Sequence, residues 1–248
     1  MTNFIVVIPS RYASARLPGK PLREINGKPM IQHVYERGVE SEAREVIIAT
    51  DDERIAAAAE SFGANVCMTS LSHQSGTERI AEVADILGWD DTQIVVNLQG
   101  DEPSMPAALI SQCAELLVDE SADITTMASP FLSREDFESP NCVKVVCDDN
   151  RNAIYFSRAV IPYTQAAEQQ ELAIESALHH HGIYAYRCGV LRKFVNSAPS
   201  SLELSEQLEQ LRALSLGMTI KLGVPAVRPG IGVDTEDDLQ RAAKETAC

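Results

Sequence analysis

Three cationic side chains stand close together near the start of the chain. Arg11, Arg16 and Lys20 fall within ten residues, and no acidic residue interrupts them. Arginine offers a planar fork of donors to phosphate oxygens, lysine adds a compact point charge, and Gly19 lets the backbone approach a ligand closely. The segment contains neither GxxxxGK[ST] nor GxGxxG. A solvated basic loop is the alternative, but the position of this segment after the first apolar run favours phosphate binding.

Two aspartates lie at boundaries between predicted elements and are candidate metal ligands. Asp101, followed by Glu102, comes just after the apolar run Gln93–Leu98, and Asp234 directly precedes the predicted helix Thr235–Lys244. Mg²⁺ binds few carboxylates and completes its coordination with waters and substrate phosphate oxygens. Taken alone, Asp101 also fits a turn, and Asp234 fits a turn or helix cap better than a metal ligand.

A helix start and a run of histidines carry further candidate groups. Ser75 and Arg79 lie at the start of the predicted helix Gly76–Leu87, where free N–H groups suit an anion. A capping box with Ser75 or Thr77 as the cap is the alternative. The histidines 179–181 are adjacent, so their side chains point in different directions and make a poor chelate for one zinc ion. The six cysteines form no CxxC pair, and we expect them to be reduced structural residues.

Short apolar runs alternate with amphipathic stretches along most of the chain. The predicted strands are Phe4–Pro9, Glu45–Thr50, Asn65–Met68, Gln93–Leu98, Val143–Cys147, Ala153–Phe156, Gly182–Tyr186 and Thr219–Val224. The predicted helices are Met30–Glu42, Asp51–Phe62, Gly76–Leu87, Pro106–Val118, Ser205–Leu216 and Thr235–Lys244. This alternation predicts an α/β fold with a mostly parallel central sheet, helices on both faces and a smaller inserted sheet region in the second half. Ligands bind beyond the carboxyl ends of the strands in such sheets, where the basic loop and Asp101 would lie.

Composition limits the class of protein. The 248 residues, of which 45% are hydrophobic, suffice for one domain spanning residues 1–248. A formal net charge of −15 argues against a nucleic-acid partner, because a phosphate backbone requires a basic face. The longest apolar runs are too short to span a bilayer and the N-terminus has no secretory pattern, so we expect a cytoplasmic protein without membrane attachment. The polar stretch Gln165–Glu175 is expected to be a mobile loop.

Several segments, taken together and in order, resemble a set of family motifs more specifically than any one of them does alone. In chain order they are PSRYASARLPGKPL from residue 9, INGKPMI from 25, HQSGTER from 73, NLQGDEP from 97, PNCVKVV from 140, YFSRAVIP from 155, HHGIYAY from 180, LEQLR from 208 and GVDTEDDL from 232. Their residue types and order resemble the motifs of the 3-deoxy-manno-octulosonate (Kdo) cytidylyltransferases, the CMP-Kdo synthetases, over nearly the whole chain. His181 stands where this family more often has an apolar residue.

The resemblance implies a reaction, a metal ion and an assembly. Kdo would be joined to CTP to give CMP-Kdo and pyrophosphate for lipopolysaccharide biosynthesis. Asp101 and Asp234 would hold the Mg²⁺ ion and, with Lys20, form the catalytic set. The fold would be Rossmann-like, of the nucleotide-diphospho-sugar transferase type. The protein would be a homodimer, with about residues 130–200 forming a sugar-binding and dimerisation subregion.

The resemblance also assigns the two substrates to separate sets of side chains. The implied CTP-binding residues are Arg11, Arg16, Lys20 and Ser75. The implied sugar-binding residues are Arg79, Gln99, Arg158, His180, Tyr184, Glu209 and Gln210. Which of His180 and His181 faces the sugar is left open by the departure at position 181.

Several alternatives are open at this point. An 8-amino analogue of Kdo is a second candidate acceptor, since one ammonium in place of one hydroxyl needs few changes in a pocket. A CMP-sialate synthetase or another sugar nucleotidyltransferase is the nearest rival enzyme. A nucleotide-binding regulatory domain without catalysis is disfavoured by the presence of both Asp101 and Asp234. A Rossmann dehydrogenase is disfavoured by the missing glycine fingerprint.

Overall fold

The computed structural model describes residues 2–13, 16–118, 122–165 and 170–245. Its strands are β1 (Phe4–Ser10), β2 (Glu24–Ile25), β3 (Lys28–Pro29), β4 (Glu45–Thr50), β5 (Asn65–Met68), β6 (Ile94–Asn97), β7 (Ile124–Pro130), β8 (Lys144–Cys147), β9 (Ala153–Ser157), β10 (Leu178–Arg187) and β11 (Ile220–Gly223). Its α-helices are α1 (Met30–Glu40), α2 (Glu53–Ser61), α3 (Gly76–Ile86), α4 (Ala107–Leu116), α5 (Arg134–Glu138), α6 (Gln170–Ser176), α7 (Cys188–Val195), α8 (Ser201–Glu206), α9 (Gln210–Ser215) and α10 (Glu236–Glu245). One turn of 3₁₀ helix covers Lys20–Leu22.

The main sheet has the strand order β11-β7-β10-β6-β1-β4-β5. Parallel pairs join β1 to β4 and β6, β4 to β5, and β7 to β11. Strand β10 runs antiparallel to its neighbours β6 and β7. All seven residues of β1 are buried, and its branched side chains suit a strand that is covered on both faces. The predicted mostly parallel α/β sheet is confirmed.

Two hydrophobic cores cover the two faces of this sheet. Alternate residues of β1 separate them, because successive side chains of a strand point to opposite faces. Ile5 and Val7 belong to the core that includes α3, α7 and α9. Phe4, Val6 and Ile8 belong to the core that includes α1, α2 and α4. The helices therefore lie on both faces, as the alternation of the sequence predicts.

A smaller antiparallel region extends the sheet in the second half of the chain. Strands β8 and β9 form a hairpin, and β8 also pairs with the first two residues of β10. The predicted inserted sheet region is thus present. Strand β7, which lies between β10 and β11, is absent from the sequence-based prediction.

Two predicted elements differ from the structure. The single helix predicted over Ser205–Leu216 is wrong, because Gln207 adopts a left-handed conformation with φ of 54° and separates α8 from α9. The loop predicted over Gln165–Glu175 is wrong where α6 begins at Gln170. Residues 166–169 of that stretch lie outside the described residues.

The cysteines and the helices carry no sign of a disulfide or of a membrane span within the described residues. The five cysteines in the described ranges are free, as expected, and Cys248 lies outside those ranges. Across residues 2–13, 16–118, 122–165 and 170–245, no helix has the length and apolar character needed to cross a membrane.

A third, small core joins the basic loop to the C-terminal helix. Leu17, Ile25 and Met30 pack with Val233 and Leu239 of the last segment of the chain. The backbone N–H of Val233 donates to the carbonyl of Asp101 at 2.9 Å. These contacts bring the segment that carries Asp234 against the loop that follows β6.

Candidate active site

A cleft of about 470 Å³ opens at the carboxyl ends of β1 and β6. Its walls come from the loop after β1, the start of α3, the loop after β6 and the segment before α10. The predicted site residues that line it are Arg11, Arg16, Lys20, Ser75, Arg79, Gln99, Asp101 and Asp234. The structure therefore brings the predicted nucleotide-binding and metal-binding side chains together at one edge of the sheet.

Lys20 bridges the two aspartates on the floor of the cleft. Its Nζ lies 2.8 Å from Asp101 Oδ2 and 3.0 Å from Asp234 Oδ1, and it also donates to the carbonyl of Val233 at 3.0 Å. Burial by itself lowers the pKa of Lys20, but the two carboxylates outweigh burial and raise this pKa above its ordinary value. Lys20 is therefore a permanent cation between acids that lie 133 residues apart in the chain (234 − 101).

The two aspartates have the chemistry of a magnesium site. Both contact the same nitrogen of Lys20, so both face a common point, and their side chains are 37% and 47% exposed toward the cleft. Among the described residues no cluster of three or more His, Cys, Asp or Glu side chains is suited to a metal ion. Mg²⁺ needs no such cluster, because it takes one or two carboxylates and fills its remaining positions with water and phosphate oxygens. The pair fits Mg²⁺, which stays a prediction.

Glu102 adds a third acid beside this pair. Burial, followed by the charges of Asp101 and Asp234, raises the pKa of Glu102 to about 8. A Cβ placed on Gly232 would come within 2.8 Å of Glu102 Oε1, so a larger residue there would require the Glu102 carboxyl to shift. Glu102 is therefore protonated at neutral pH and adds no negative charge to the floor of the cleft.

The basic loop is held in place by a stack on α2. The guanidinium of Arg54 lies 3.3 Å from the ring centroid of Tyr12, and Arg54 is also paired with Asp52. Gly19 adopts a φ of 65°, and a Cβ there would lie 3.1 Å from the Tyr12 ring. Arg16 reaches Asp234 Oδ1 at 3.0 Å but is 65% exposed. The loop thus presents Arg16 to the mouth of the cleft.

The start of α3 forms another wall of the cleft. Ser75 is the N-cap, and its hydroxyl accepts from the backbone N–H of Glu78 at 3.2 Å. The capping role that the sequence offered as the alternative is thus present. The free N–H groups of this helix start and its positive dipole end face the cleft, which suits an anion.

Arg79 is placed differently from the other cations. Its side chain is only 4% exposed, and its Nη2 lies 2.6 Å from Asp51 Oδ2. It also donates to the hydroxyl of Thr69. Arg79 touches the cleft but is already paired, so the structure gives this residue a structural partner in addition to its predicted role with the sugar.

A second group of polar side chains lies behind the cleft, on the face covered by α3 and α9. Thr77 donates to Glu209 Oε2 at 2.6 Å, and Gln99 donates to Asn97 at 3.0 Å. Burial raises the pKa of Glu209, against the hydrogen bonds from Thr77 and Ser75 that lower it. Glu209 Oε1 and Gln210 Nε2 are buried and have no hydrogen-bond partner among the described residues. Unsatisfied buried polar atoms are rare in folded proteins, and these two are suited to the hydroxyl groups of a ligand.

The three consecutive histidines separate onto the two faces of β10. His180 is buried beside Phe156 and Tyr184 and lies 3.1 Å from Thr126 Oγ1. His181 contacts Ser129 Oγ at 2.9 Å and lies near His179 on the other face. Burial lowers the pKa of both His180 and His181 to about 3. His180, and not His181, therefore shares a face with Tyr184, and both histidines are neutral at pH 7.

Arg158 lies at the end of β9 and does not line the cleft. Its Nε donates to the carbonyl of Glu206 at 3.1 Å and its Nη1 to the carbonyl of Pro140 at 3.1 Å. Its backbone N–H donates to Glu206 Oε2 at 2.9 Å. His180, Tyr184, Glu209 and Gln210 likewise lie off the cleft lining. The predicted sugar-binding residues thus fall into a cleft set and a set behind it.

Three residues of this site are missing from the sequence-based prediction. Asp51 pairs with Arg79, Thr77 contacts Glu209, and Glu206 binds the Arg158 backbone. Asp51 offered one signal, because it follows β4 at the same sheet edge as the basic loop. The contacts of Thr77 and Glu206 span 132 and 48 residues of the chain, so no local sequence pattern predicts them.

The fold and the cleft define a nucleotidyltransferase, and comparison with known proteins gives the family. The cytidylyltransferase family model matches residues 5–220. The chain belongs to the cytidylyltransferase family.

Individual relatives show which cytidylyltransferases the chain is similar to. The chain is 52% identical, over 241 residues and 96% of each protein, to a 3-deoxy-manno-octulosonate cytidylyltransferase of Yersinia enterocolitica serotype O:8 / biotype 1B. It matches a solved CMP:2-keto-3-deoxy-manno-octonic acid synthetase complexed with CTP with a TM-score of 0.90 at 40% identity, over 99% of each chain. A 4-diphosphocytidyl-2C-methyl-D-erythritol synthase from Anaerococcus prevotii matches with a TM-score of 0.65 at 14% identity, over 99% of each chain, which shows a common fold.

Proposed function

We propose that this chain transfers the cytidylyl group of CTP to Kdo, giving CMP-Kdo and pyrophosphate. The observation that carries the proposal is the cleft itself, where Lys20 joins Asp101 and Asp234 next to Arg11 and Arg16. This combination suits a triphosphate. The 52% identity to a curated enzyme of this activity supports the choice of nucleotide and sugar.

The cations of the cleft bind and orient the triphosphate. Arg11 and Arg16 extend from the loop after β1, and Lys20 lies deeper, at 13% exposure. The start of α3 offers backbone N–H groups to another phosphate oxygen. Because the reacting groups are all anions, this neutralisation and alignment lowers the barrier to their encounter. Lys20 carries a positive charge while it contacts Asp101 and Asp234, which raise its pKa, and in this proposal it stabilises the charge that the leaving pyrophosphate gains.

We propose that Asp101 and Asp234 hold Mg²⁺ when substrates are bound. Both carboxylates face one point and remain partly open to the cleft. Bound there, Mg²⁺ supplies Lewis acidity that withdraws charge from phosphate oxygens and favours ionisation of the sugar hydroxyl. The protein contributes the rigid placement of both acids, through the Val233–Asp101 backbone hydrogen bond and the small core beneath it.

The second polar group provides the sugar site in this proposal. Gln99 lies in the cleft wall, and Glu209 and Gln210 offer buried atoms that no described residue satisfies. Tyr184 and His180 lie on the same face of β10, and neutral His180 has both a donor and an acceptor nitrogen for hydroxyl groups. The anomeric hydroxyl of the sugar would attack the α-phosphorus of CTP, and pyrophosphate would leave.

Release of pyrophosphate tests this proposal. Purified protein would be mixed with CTP and Mg²⁺, and with Kdo, 8-amino-Kdo or sialic acid as the acceptor. We expect release with Kdo that EDTA abolishes and that added Mg²⁺ restores. Release only with 8-amino-Kdo or sialic acid would keep the chemistry and replace the sugar. No release with any acceptor would overturn the enzymatic assignment.

We also propose that the protein forms a homodimer through the region of residues 130–200. Several large apolar side chains of this region are exposed in the single chain, namely Leu132, Ile154, Val160, Tyr163 and Leu172. A concentration of large exposed apolar side chains in one region supports an interaction site there. Light scattering after size-exclusion chromatography would give the mass in solution. The cytoplasmic location stays a prediction, which fractionation of the source cells would test.

A further inference from the structure

We infer that Glu206 is a positioning residue of the sugar site, which locks Arg158 to the corner between α8 and α9. The inference rests on the proposed function, because it concerns the site that would receive the sugar. Nothing in the sequence motifs singles out Glu206, which lies two residues before LEQLR.

Glu206 accepts hydrogen bonds from the end of β9 with both carboxylate oxygens. Oε1 lies 2.6 Å from the hydroxyl of Ser157 and 3.5 Å from that of Tyr155. Oε2 accepts from the backbone N–H of Arg158 at 2.9 Å. Hydrogen bonds to an ionised acceptor are stronger than those between neutral groups. Despite burial, which raises it, the pKa of Glu206 is lowered by these bonds, so the carboxylate is charged near neutral pH.

The backbone of the same residue fixes the Arg158 side chain. The Glu206 carbonyl accepts from Arg158 Nε at 3.1 Å, while Nη1 donates to the carbonyl of Pro140. Arginine has five N–H donors, and these two bonds use two of them. The guanidinium is thus oriented by the protein and keeps donors for an anion.

Glu206 also lies where helix α8 ends, shortly before helix α9 begins. It ends α8, and the left-handed Gln207 turns the chain so that Glu209 and Gln210 begin α9. The carboxylate therefore connects two predicted sets of sugar contacts, Arg158 on β9 and the Glu209–Gln210 pair, that are about 50 residues apart in sequence. A misplacement of about 1 Å between such sets is enough to lower an enzyme's efficiency.

Two single variants and one control test this role. Glu206→Ala removes both acceptors, and we expect the KM for Kdo to rise about tenfold while the KM for CTP changes less than about twofold. Glu206→Gln keeps one carbonyl oxygen for the Arg158 N–H and an amide that donates to Ser157, so it should recover most of the wild-type KM. The control Ser200→Ala removes the N-cap of α8 and weakens the same helix without touching β9, so it should leave the KM for Kdo unchanged.

The double variant decides whether Glu206 acts through Arg158. In an Arg158→Ala background, Glu206→Ala should add less than about twofold to the KM for Kdo, since coupled residues are not additive. A full tenfold addition, or an equal rise in the Ser200→Ala control, would overturn the inference.

Hydrogen exchange separates this inference from the proposed function, because it needs no substrate. Glu206→Ala should speed amide exchange in residues 155–160 and 207–212 together, and Ser200→Ala should leave 155–160 unchanged. Unchanged exchange at 155–160 in Glu206→Ala would overturn the inference, even if Kdo proves to be the substrate. Absence of Kdo turnover with the expected exchange pattern would overturn the proposed function alone.

Discussion

The cleft and the polar group behind it differ in how far their polar side chains are exposed and in whether those side chains already have partners. In the cleft, the charges are already paired with one another and several are open to solvent: Arg16 is 65% exposed, and the 13%-exposed Lys20 lies between two partly exposed aspartates. Behind it, the groups are buried and some are unpaired, as with Glu209 Oε1 and Gln210 Nε2. Exposed charges would exchange their partners with little loss of free energy when a triphosphate binds. If the proposed sugar site is correct, these buried polar atoms would select one hydroxyl pattern, because a wrong sugar would leave them unsatisfied.

The largest expected effect lies in the cleft. Asp101→Asn should lower kcat on the order of 10³-fold, because it removes a charge that orients the reacting groups. The thermal unfolding midpoint should change little, since the Asp101 carbonyl, not its side chain, holds Val233. Asp237→Asn, an exposed acid on α10, is the matched control. Near-normal turnover of Asp101→Asn with saturating Mg²⁺ would contradict the metal assignment.

Arg79 lines the cleft but is buried and paired with Asp51, so variants of this pair show whether Arg79 serves stability or ligand binding. Asp51→Asn leaves the buried Arg79 cation without its partner, so we expect a loss of about 3 kcal/mol in the free energy of unfolding, measured by urea denaturation. Asp52→Asn on the neighbouring exposed pair should cost less than about 1 kcal/mol. If Asp51→Asn changes only the KM for Kdo and not stability, then Arg79 belongs with the ligand-binding cations.

Glu102 in the cleft has a pKa raised to about 8, so its contribution to stability is lost as pH rises. The buried histidines behind the cleft give the opposite pH dependence. Their pKa is about 3 in the folded protein and near 6.5 in the unfolded chain. Between these values the unfolded state binds more protons, so stability rises with pH and is lost as pH falls below 6.5. From pH 7 to pH 5 each buried histidine should cost about 2 kcal/mol.

Urea titrations at several pH values would measure this slope, and His180→Gln should reduce it. His33→Gln, a partly exposed histidine of α1, is the control and should leave the slope nearly unchanged. Because Glu102 contributes a slope of opposite sign, the histidine contribution is the difference between the wild-type and His180→Gln slopes. An unchanged slope in His180→Gln would show that His180 is accessible to protons.

The smallest expected effect concerns a contact within the polar group behind the cleft. Thr77→Val preserves the shape of the side chain but removes the donor to Glu209. We expect the KM for the sugar to rise about five- to tenfold, on the order of 1 kcal/mol, with little change for CTP. Thr92→Val on the exposed loop before β6 is a matched control. An equal rise in both Michaelis constants would mean that Thr77 shapes the whole site rather than the sugar side.

The sequence predicted the cleft better than the group behind it. The strands β4 and β5 agree with their predicted bounds. The basic loop follows β1, a strand that is buried throughout, and Asp101 lies just beyond β6, whose first three residues are apolar. Strand β7 was missed because its residues Thr125, Thr126 and Ser129 look exposed in sequence. In the fold they are buried, and their hydroxyls find partners such as the carbonyls of Cys113 and Ile183.

The interruption of the predicted helix Ser205–Leu216 shows a second limit of prediction from sequence. Its leucines recur at helical spacing, so the local pattern continues through Gln207. The structure ends α8 there, where Glu206 is hydrogen-bonded to β9, a segment nearly 50 residues earlier in the chain. A single sequence does not reveal contacts of that span.

The position of Lys20 also has a consequence for how ligands arrive. While it lies between Asp101 and Asp234, and Arg16 also pairs with Asp234, these four charges cancel. The resting floor of the cleft thus attracts a lone triphosphate weakly. If Asp101 and Asp234 hold Mg²⁺ as proposed, Lys20 and Arg16 would be released from them and would face the phosphates. By thermodynamic reciprocity, the nucleotide must then tighten the hold on the metal by the same factor, so the pair would load as one unit and leave as one unit.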